Sequence, residues 1–446
     1  MTTEFNLTEG SISKKLAMFA IPYLISAFLQ TFYGMADLLI VGIFNTSDTT
    51  TAVSVGSQFT HMVTVIIIGL AMGITVRIGN CVGAKDMKRI SKIVGNSALF
   101  FAIFSAALAL VLLPLTPQIV SVMNTPIEAV SQTKSYLGIC FLGLPFICAY
   151  NVLSAIYRGM GDSKSPMIFV SIACVINLAL DFVLIGFFGM GASGAAVATV
   201  VAQFVSSLIA LFKLKRINAS IGIRKEDFKL NADIVKEIVF IGGPVAMQDG
   251  LIQVSFLVIT VIANSRGLTD AASVGIVEKI ISFMFLVPSA LLSAISALTA
   301  QNIGAGKKDR AEKTLFYGMV FAFCYGLLAA LVSNLIPESM VGLFTRDALV
   351  VAAGARYLMS YAFDVPIAGI HFCFSGYFTG RGKSLISFIH NILSVIIIRV
   401  PGAYFTSKYY PDDLFPMGLA APLGSALSAV ICITFFVLLK KKDKTV

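Results

Sequence analysis

Residues 16–43 read LAMFAIPYLISAFLQTFYGMADLLIVGI, a stretch whose one Asp, Glu, Lys or Arg is Asp37. A helix rises about 1.5 Å per residue, so roughly 20 apolar residues cross a hydrocarbon core of about 30 Å. This stretch is long enough to do so. It lacks the strict apolar–polar alternation of a membrane-barrel strand, so it reads as a transmembrane helix.

The rest of the chain repeats that pattern. Of its 446 residues 57% are apolar and 13% are Asp, Glu, Lys or Arg, against roughly 45–50% and about 25% in soluble proteins. A soluble globule, a disordered chain, a collagen-like repeat and a coiled coil are all excluded by these figures. Further apolar runs fall at 52–78, 93–114, 135–157, 166–188, 191–213, 237–263, 271–299, 314–336, 355–378, 385–407 and 416–439. The expected fold is therefore an all-α integral membrane protein of twelve transmembrane helices.

The net charge of +10 has to be judged by its placement. With the N-terminus, the even-numbered connections and the C-terminus on one side, 26 of the 33 Lys and Arg lie there and five lie opposite, while Lys279 and Arg399 fall inside spans. Basic loops face the cytoplasm, so both termini are expected there, in the inner membrane, and nucleic acid is not expected as a partner. The first span is too long for a cleavable signal and carries an Asp, so it is read as retained.

The chain also resembles itself. Residues 83–161 align without a gap onto 304–382, and the matches include corners: Gly83, Ala84, Arg89 and Lys92 with Gly304, Ala305, Arg310 and Lys313, and Tyr136, Pro145, Gly159 and Gly161 with Tyr357, Pro366, Gly380 and Gly382. Pro22 and Gly56 pair with Pro244 and Gly275 at nearly the same offset. Two six-helix lobes follow, 1–212 and 232–446, joined by a charged cytoplasmic linker at 213–231. An even number of spans per repeat relates them by a pseudo-two-fold axis along the membrane normal.

Polar groups inside spans are costly in lipid and mark cavities or partners. Five acids qualify: Asp37, Asp181, Asp249, Glu278 and Asp364. Gln30, Tyr33 and Asp37 share a helix face at seven- and four-residue spacing, as do Asn177 and Asp181. With Thr199 they supply two carboxylates, an amide oxygen and a hydroxyl, which are hard donors suited to Na⁺ or a proton and unsuited to a soft transition metal. Two carboxylates confined in a poorly solvated pocket resist carrying two bare charges, which again suits a bound cation.

These residues resemble a known family. Ala20-Ile21-Pro22-Tyr23, Asp37 after Gln30 and Tyr33, the corner Asn80-Cys81-Val82-Gly83-Ala84 repeated at 301–306, Arg158-Gly159-Met160-Gly161-Asp162, and Asn177 with Asp181 then Thr199 are similar to the multidrug and toxic compound extrusion (MATE) transporters. The resemblance spans essentially the whole chain. It implies two lobes around a V-shaped cavity, and export of small amphipathic, often cationic compounds in exchange for H⁺ or Na⁺, with no other cofactor. The DinF-like branch is the nearer one, which implies a cation site in the N-terminal lobe at Asp37, Asn177, Asp181 and Thr199. Gln30, Tyr33, Tyr136 and Asn151 would line the same cavity. In NorM-like relatives a Glu on the seventh span serves the C-terminal lobe; Gln253 stands at that position here.

In the second half Asp249 is the expected cavity residue along with Gln253; for Glu278, which adjoins Lys279, and for Asp364 local pairing is favoured over a polar substrate path, and His371, His390 and Arg399 are also intramembrane. Pro22 is the expected hinge of the first span. The seven cysteines form no C-x-x-C pair and read as small apolar residues. No H-E-x-x-H, P-loop or G-x-S-x-G motif occurs, so neither an enzyme nor ATP-driven transport is expected. A flippase of lipid-linked oligosaccharide is the alternative. It would need a cationic cavity for pyrophosphate, whereas here the Arg and Lys lie almost all in loops. A channel would need a continuous polar ring. Nothing calls for an obligate interface, so a monomer is expected.

Overall fold

The computed structural model describes residues 6–444, and the side chains of all of these except 217–221 and 444. Among the described residues there are helices and no strands. They run α1 (Ile12–Phe44), α2 (Ser47–Gly83), α3 (Met87–Val122), α4 (Val130–Leu142), α5 (Leu144–Gly159), α6 (Lys164–Asp181), α7 (Gly191–Ile221), α8 (Ala232–Asn264), α9 (Leu268–Met284), α10 (Leu286–Gly304), α11 (Lys308–Leu335), α12 (Pro337–Gly342), α13 (Ala348–Tyr361), α14 (Asp364–Gly380), α15 (Ser384–Ser394), α16 (Val400–Tyr409), α17 (Phe415–Gly418) and α18 (Ala420–Lys444). Ten stretches are long and apolar enough to cross a membrane, and two bent pairs bring the total to twelve.

The bends fall at equivalent places in the sequence repeat. The pair α4 and α5 turns by 49° and the pair α13 and α14 by 44°. Pro145 and Pro366 stand just beyond the two breaks. A proline donates no amide hydrogen and crowds the preceding turn, so the helix breaks there. Other spans run past the expected apolar cores: α3 covers Met87–Val122 where 93–114 is expected, because a helix keeps its backbone bonded through the headgroup layer until a stop signal. At its start the Asp86 carboxylate accepts the Arg89 amide hydrogen at 3.0 Å.

Contacts divide the chain into two compact units. Among the described residues the first holds 6–7 and 21–246, and the second holds 8–20 and 247 onward. The division therefore falls inside α8, not at the expected linker 213–231, and the first turns of α1 group with the second unit. Both splits lie within about two residues of a proline, Pro22 in α1 and Pro244 in α8.

Within each unit small residues let helices approach closely, as lipid-embedded helices require. A methyl on Gly159 would lie 2.8 Å from the Thr75 carbonyl oxygen, and one on Gly380 would lie 2.6 Å from that of Ser296. Thr75 and Ser296 are themselves equivalent positions, so one close crossing is built twice. In the first unit Gly73 and Gly242 seat α2 against α8, where an added methyl would lie 2.1 Å from the Ile238 oxygen or 2.0 Å from that of Leu70. Gly159→Ala is expected to destabilise the chain by about 1–3 kcal/mol through overpacking, read as a lower thermal unfolding midpoint in detergent. An unchanged midpoint would contradict the crossing.

Arg356 and Asp413 form an exposed ion pair at 2.6 Å. The guanidinium holds the Asp413 carboxyl below the usual carboxylate range. Its contribution is present above the ordinary pKa of about 3.9 and is lost as pH falls through the lowered value. Because both groups are half in solvent, Asp413→Ala is expected to cost less than about 1 kcal/mol, which the same midpoint measures.

Candidate functional site

In the first unit three helices bring the polar intramembrane side chains together. Asp37 sits on α1, Asn177 and Asp181 on α6, and Thr199 on α7. The Thr199 hydroxyl donates to Asp37 Oδ2 at 3.4 Å, and the Asp37 carboxyl also faces Asp181 and Asn177. Asp37, Asn177 and Asp181 are 4%, 1% and 0% exposed. Even so, Asp37 Oδ1, both oxygens of Asp181 and both polar atoms of the Asn177 amide reach no hydrogen-bond partner. Buried polar atoms are almost always paired, so five orphans brought together make this the candidate site.

Local structure explains the placement. Asp181 is the last residue of α6, and a π-helical turn, Phe182–Phe187, follows it. Such turns shift the register of a helix and occur mostly at functional positions. The wall beside the acids is aromatic and polar. Tyr33 accepts a hydrogen bond from Gln203 Nε2 at 3.3 Å, and Tyr150 and Cys174 lie near Tyr33. Tyr136 is buried against Gly56, close to Asp37 and Tyr33, and Gln30 reaches Tyr150. Asn151 is different: its amide donates to the Ile147 carbonyl of its own helix at 2.8 Å. That bond lies within α5.

The second unit gathers a separate polar group. Half-buried Arg399 closes a π-helical turn, Val395–Arg399, donates to the Tyr361 hydroxyl and stacks 4.9 Å from the Phe256 ring centroid. Asp364 and Glu278 lie in its electrostatic field, and Thr260 donates to Glu278 Oε2 at 3.5 Å. Lys279 is exposed and makes no ion pair among the described residues, and Glu278 instead accepts from Thr260 and lies in the field of Arg399. His371 contacts the Ser425 hydroxyl at 3.3 Å and His390 that of Ser375 at 2.9 Å. Asp249 and Gln253 lie four residues apart on α8, and neither has a hydrogen-bond or ion-pair partner among the described residues. No three His, Cys, Asp or Glu converge as a metal set among the described residues.

The sequence model of the MatE family matches twice, at residues 22–183 and 244–405, once on each repeat. This chain belongs to the MATE family. It is 27% identical to the "Probable multidrug resistance protein NorM" of Thermotoga maritima, over 95% of this chain and 90% of that one. It is 26% identical to the "Multidrug export protein MepA" of Staphylococcus aureus, over 89% of each. Among solved structures, an outward-facing multidrug resistance MATE family transporter matches over 100% of both chains at 22% identity, with a TM-score of 0.93. The family is one of transporters, so this MATE protein is a multi-pass membrane transporter and not an enzyme.

Within this MATE protein the sequence reading passed over Gln203. It lies four residues after Thr199 on the same face of α7, so the spacing that paired Asn177 with Asp181 would have found it. Its Oε1 has no partner, and its amide fixes Tyr33. Gln203→Leu is expected to lower transport three- to tenfold without unfolding the chain, because it frees Tyr33 but leaves both carboxylates in place. Dye efflux from reconstituted vesicles measures this, and a wild-type rate would remove Gln203 from the site.

Proposed function

We propose that this MATE transporter exports small amphipathic, often cationic compounds across the cell inner membrane in exchange for H⁺ or Na⁺, with the coupling cation held by Asp37, Asn177, Asp181 and Thr199. The observation that carries the proposal is the set of orphaned, buried polar atoms on α1 and α6. Carboxylate, amide and hydroxyl oxygens are the donors that Na⁺ prefers, and a carboxylate pair equally takes a proton. The multidrug names of the relatives support the substrate class.

Binding neutralises the facing carboxylates, and the relaxed α1 bends at Pro22, where no amide can bond to the Met18 carbonyl. The Ser26 hydroxyl, donating to the Pro22 carbonyl at 2.8 Å, steadies the turn beyond it. The altered wall beside Tyr33, Gln30 and Tyr136 then expels the bound compound. Basic loops orient both ends of the chain toward the cytoplasm; residues 1–5 and 445–446 themselves lie outside the described residues. The transporter works as a monomer. The experiment is efflux of an ethidium-like cation from proteoliposomes: robust efflux that ignores both H⁺ and Na⁺ gradients would overturn the coupling.

A further inference from the structure

The two repeats share a corner, and its charges are placed differently in the two. In the first unit the two arginines of the corner after α2 are paired internally. Glu237 on α8 receives both Arg77 and Arg89, the latter at 2.9 Å, and Asp86 caps α3. The equivalent corner of the second unit, between α10 and α11, keeps the arginine as Arg310. Its two carboxylates are replaced by ammonium groups, while Lys88 and Ser91 are replaced by Asp309 and Glu312. Asp86 corresponds to Lys307 at the repeat offset, and Glu237 corresponds to Lys15, since Ile12, Lys14 and Pro22 align with Ile234, Lys236 and Pro244.

Lys15 lies beside the backbone that Arg310 holds. Arg310 donates to the Gly10 carbonyl at 2.8 Å, and the Lys15 Cε lies 4.0 Å from where a methyl on Gly10 would be. Lys307 donates to the Thr8 carbonyl at 3.0 Å. Backbone carbonyls thus hold these groups in position but do not discharge them, and Arg310 Nε has no partner. Beside them opens a cleft of about 440 Å³, lined by Ile12, Gly306, Lys307, Lys308, Asp309, Arg310 and Lys313. Four basic side chains there face one acid. Of the neighbouring acids, Glu9 lies in the field of Arg310, Asp443 is shared between Lys308 at 3.8 Å and Arg381 at 2.7 Å, and Glu312 is taken by Lys440 at 2.7 Å.

We infer that this cleft binds a phosphate-bearing anion, the headgroup of an anionic lipid. The cleft lies where two membrane spans end, which is headgroup level on whichever face it belongs to, and Ile12 supplies an apolar edge beside the cations. A phosphodiester would supply from outside the negative charge that Glu237 and Asp86 supply internally to the other repeat.

The test is lipid retention by the full chain in mixed micelles of phosphatidylglycerol and phosphatidylcholine, read by native mass spectrometry. The wild type is expected to retain phosphatidylglycerol over phosphatidylcholine by at least roughly fivefold, the effect of about one basic residue near a surface. Lys15→Glu and, separately, Lys307→Asp, which restore the carboxylates of the first repeat, are expected to remove that excess. Lys88→Glu at the other corner is expected to leave it unchanged. Size-exclusion profiles and thermal midpoints in neutral detergent establish that the variants fold, and Lys313→Ala, which touches no backbone carbonyl, serves if either reversal does not. An excess that survives these substitutions, or no excess in the wild type, would overturn the site. A separate arm adds millimolar inorganic phosphate: binding of free phosphate with no lipid preference would overturn the headgroup assignment.

Discussion

Asp37→Asn and Asp181→Asn are each expected to reduce gradient-driven efflux of an ethidium-like cation at least tenfold, toward the rate of empty vesicles. Asparagine keeps the shape and removes the charge, so it separates coupling from packing. The two carboxylates sit on different helices, α1 and α6, and either alone leaves one charge in a site built for two. Relief of a buried charge is expected to leave the thermal midpoint unchanged or raised, since an unpaired buried acid is costly. Efflux near wild type in either variant, with confirmed reconstitution, would show that the orphaned atoms have another purpose. Thr199→Val is the milder companion: the 3.4 Å contact to Asp37 is weak, and a severalfold loss is expected.

The second large effect concerns stability. Arg399→Leu is expected to destabilise the protein by about 3 kcal/mol, because it leaves Asp364 and Glu278 without their cation in a poorly solvated interior. Asp364 is fully buried and neither of its oxygens has a hydrogen-bond partner, so the field of Arg399 is its main compensation. Adding Asp364→Asn to Arg399→Leu is expected to recover a third or more of the loss. Thermal unfolding of the two single variants and the double variant measures the coupling. Strict additivity would mean that Arg399 and Asp364 do not interact.

Much of this was legible in the sequence for one physical reason. In lipid a polar residue needs a purpose, so Asp37, Asn177 and Asp181 stood out against apolar spans, and helical spacing placed them on common faces. The corners of the repeat were legible because Pro145 and Pro366, or Gly159 and Gly380, do backbone work that few other residues can do. What was missed follows from what spacing cannot carry. Glu278 was read beside Lys279 because they are adjacent in sequence, yet adjacent helical residues point apart, and the cation whose field reaches it, Arg399, is more than a hundred residues away. The π-helical turns after Asp181 and before Arg399 have no residue signature. Asn151 was placed in the cavity by the family resemblance alone, and its amide donates to Ile147 within its own helix. The division of α8 at Ala246 was hidden because one continuous apolar helix serves both units.

The most direct measurement imposes the H⁺ gradient and the Na⁺ gradient separately on proteoliposomes containing wild type or Asp37→Asn, and follows efflux of an ethidium-like cation. The account predicts that at least one gradient drives the wild type, and that the same gradient no longer drives Asp37→Asn. Efflux in Asp37→Asn that responds to the gradient as the wild type does would contradict it.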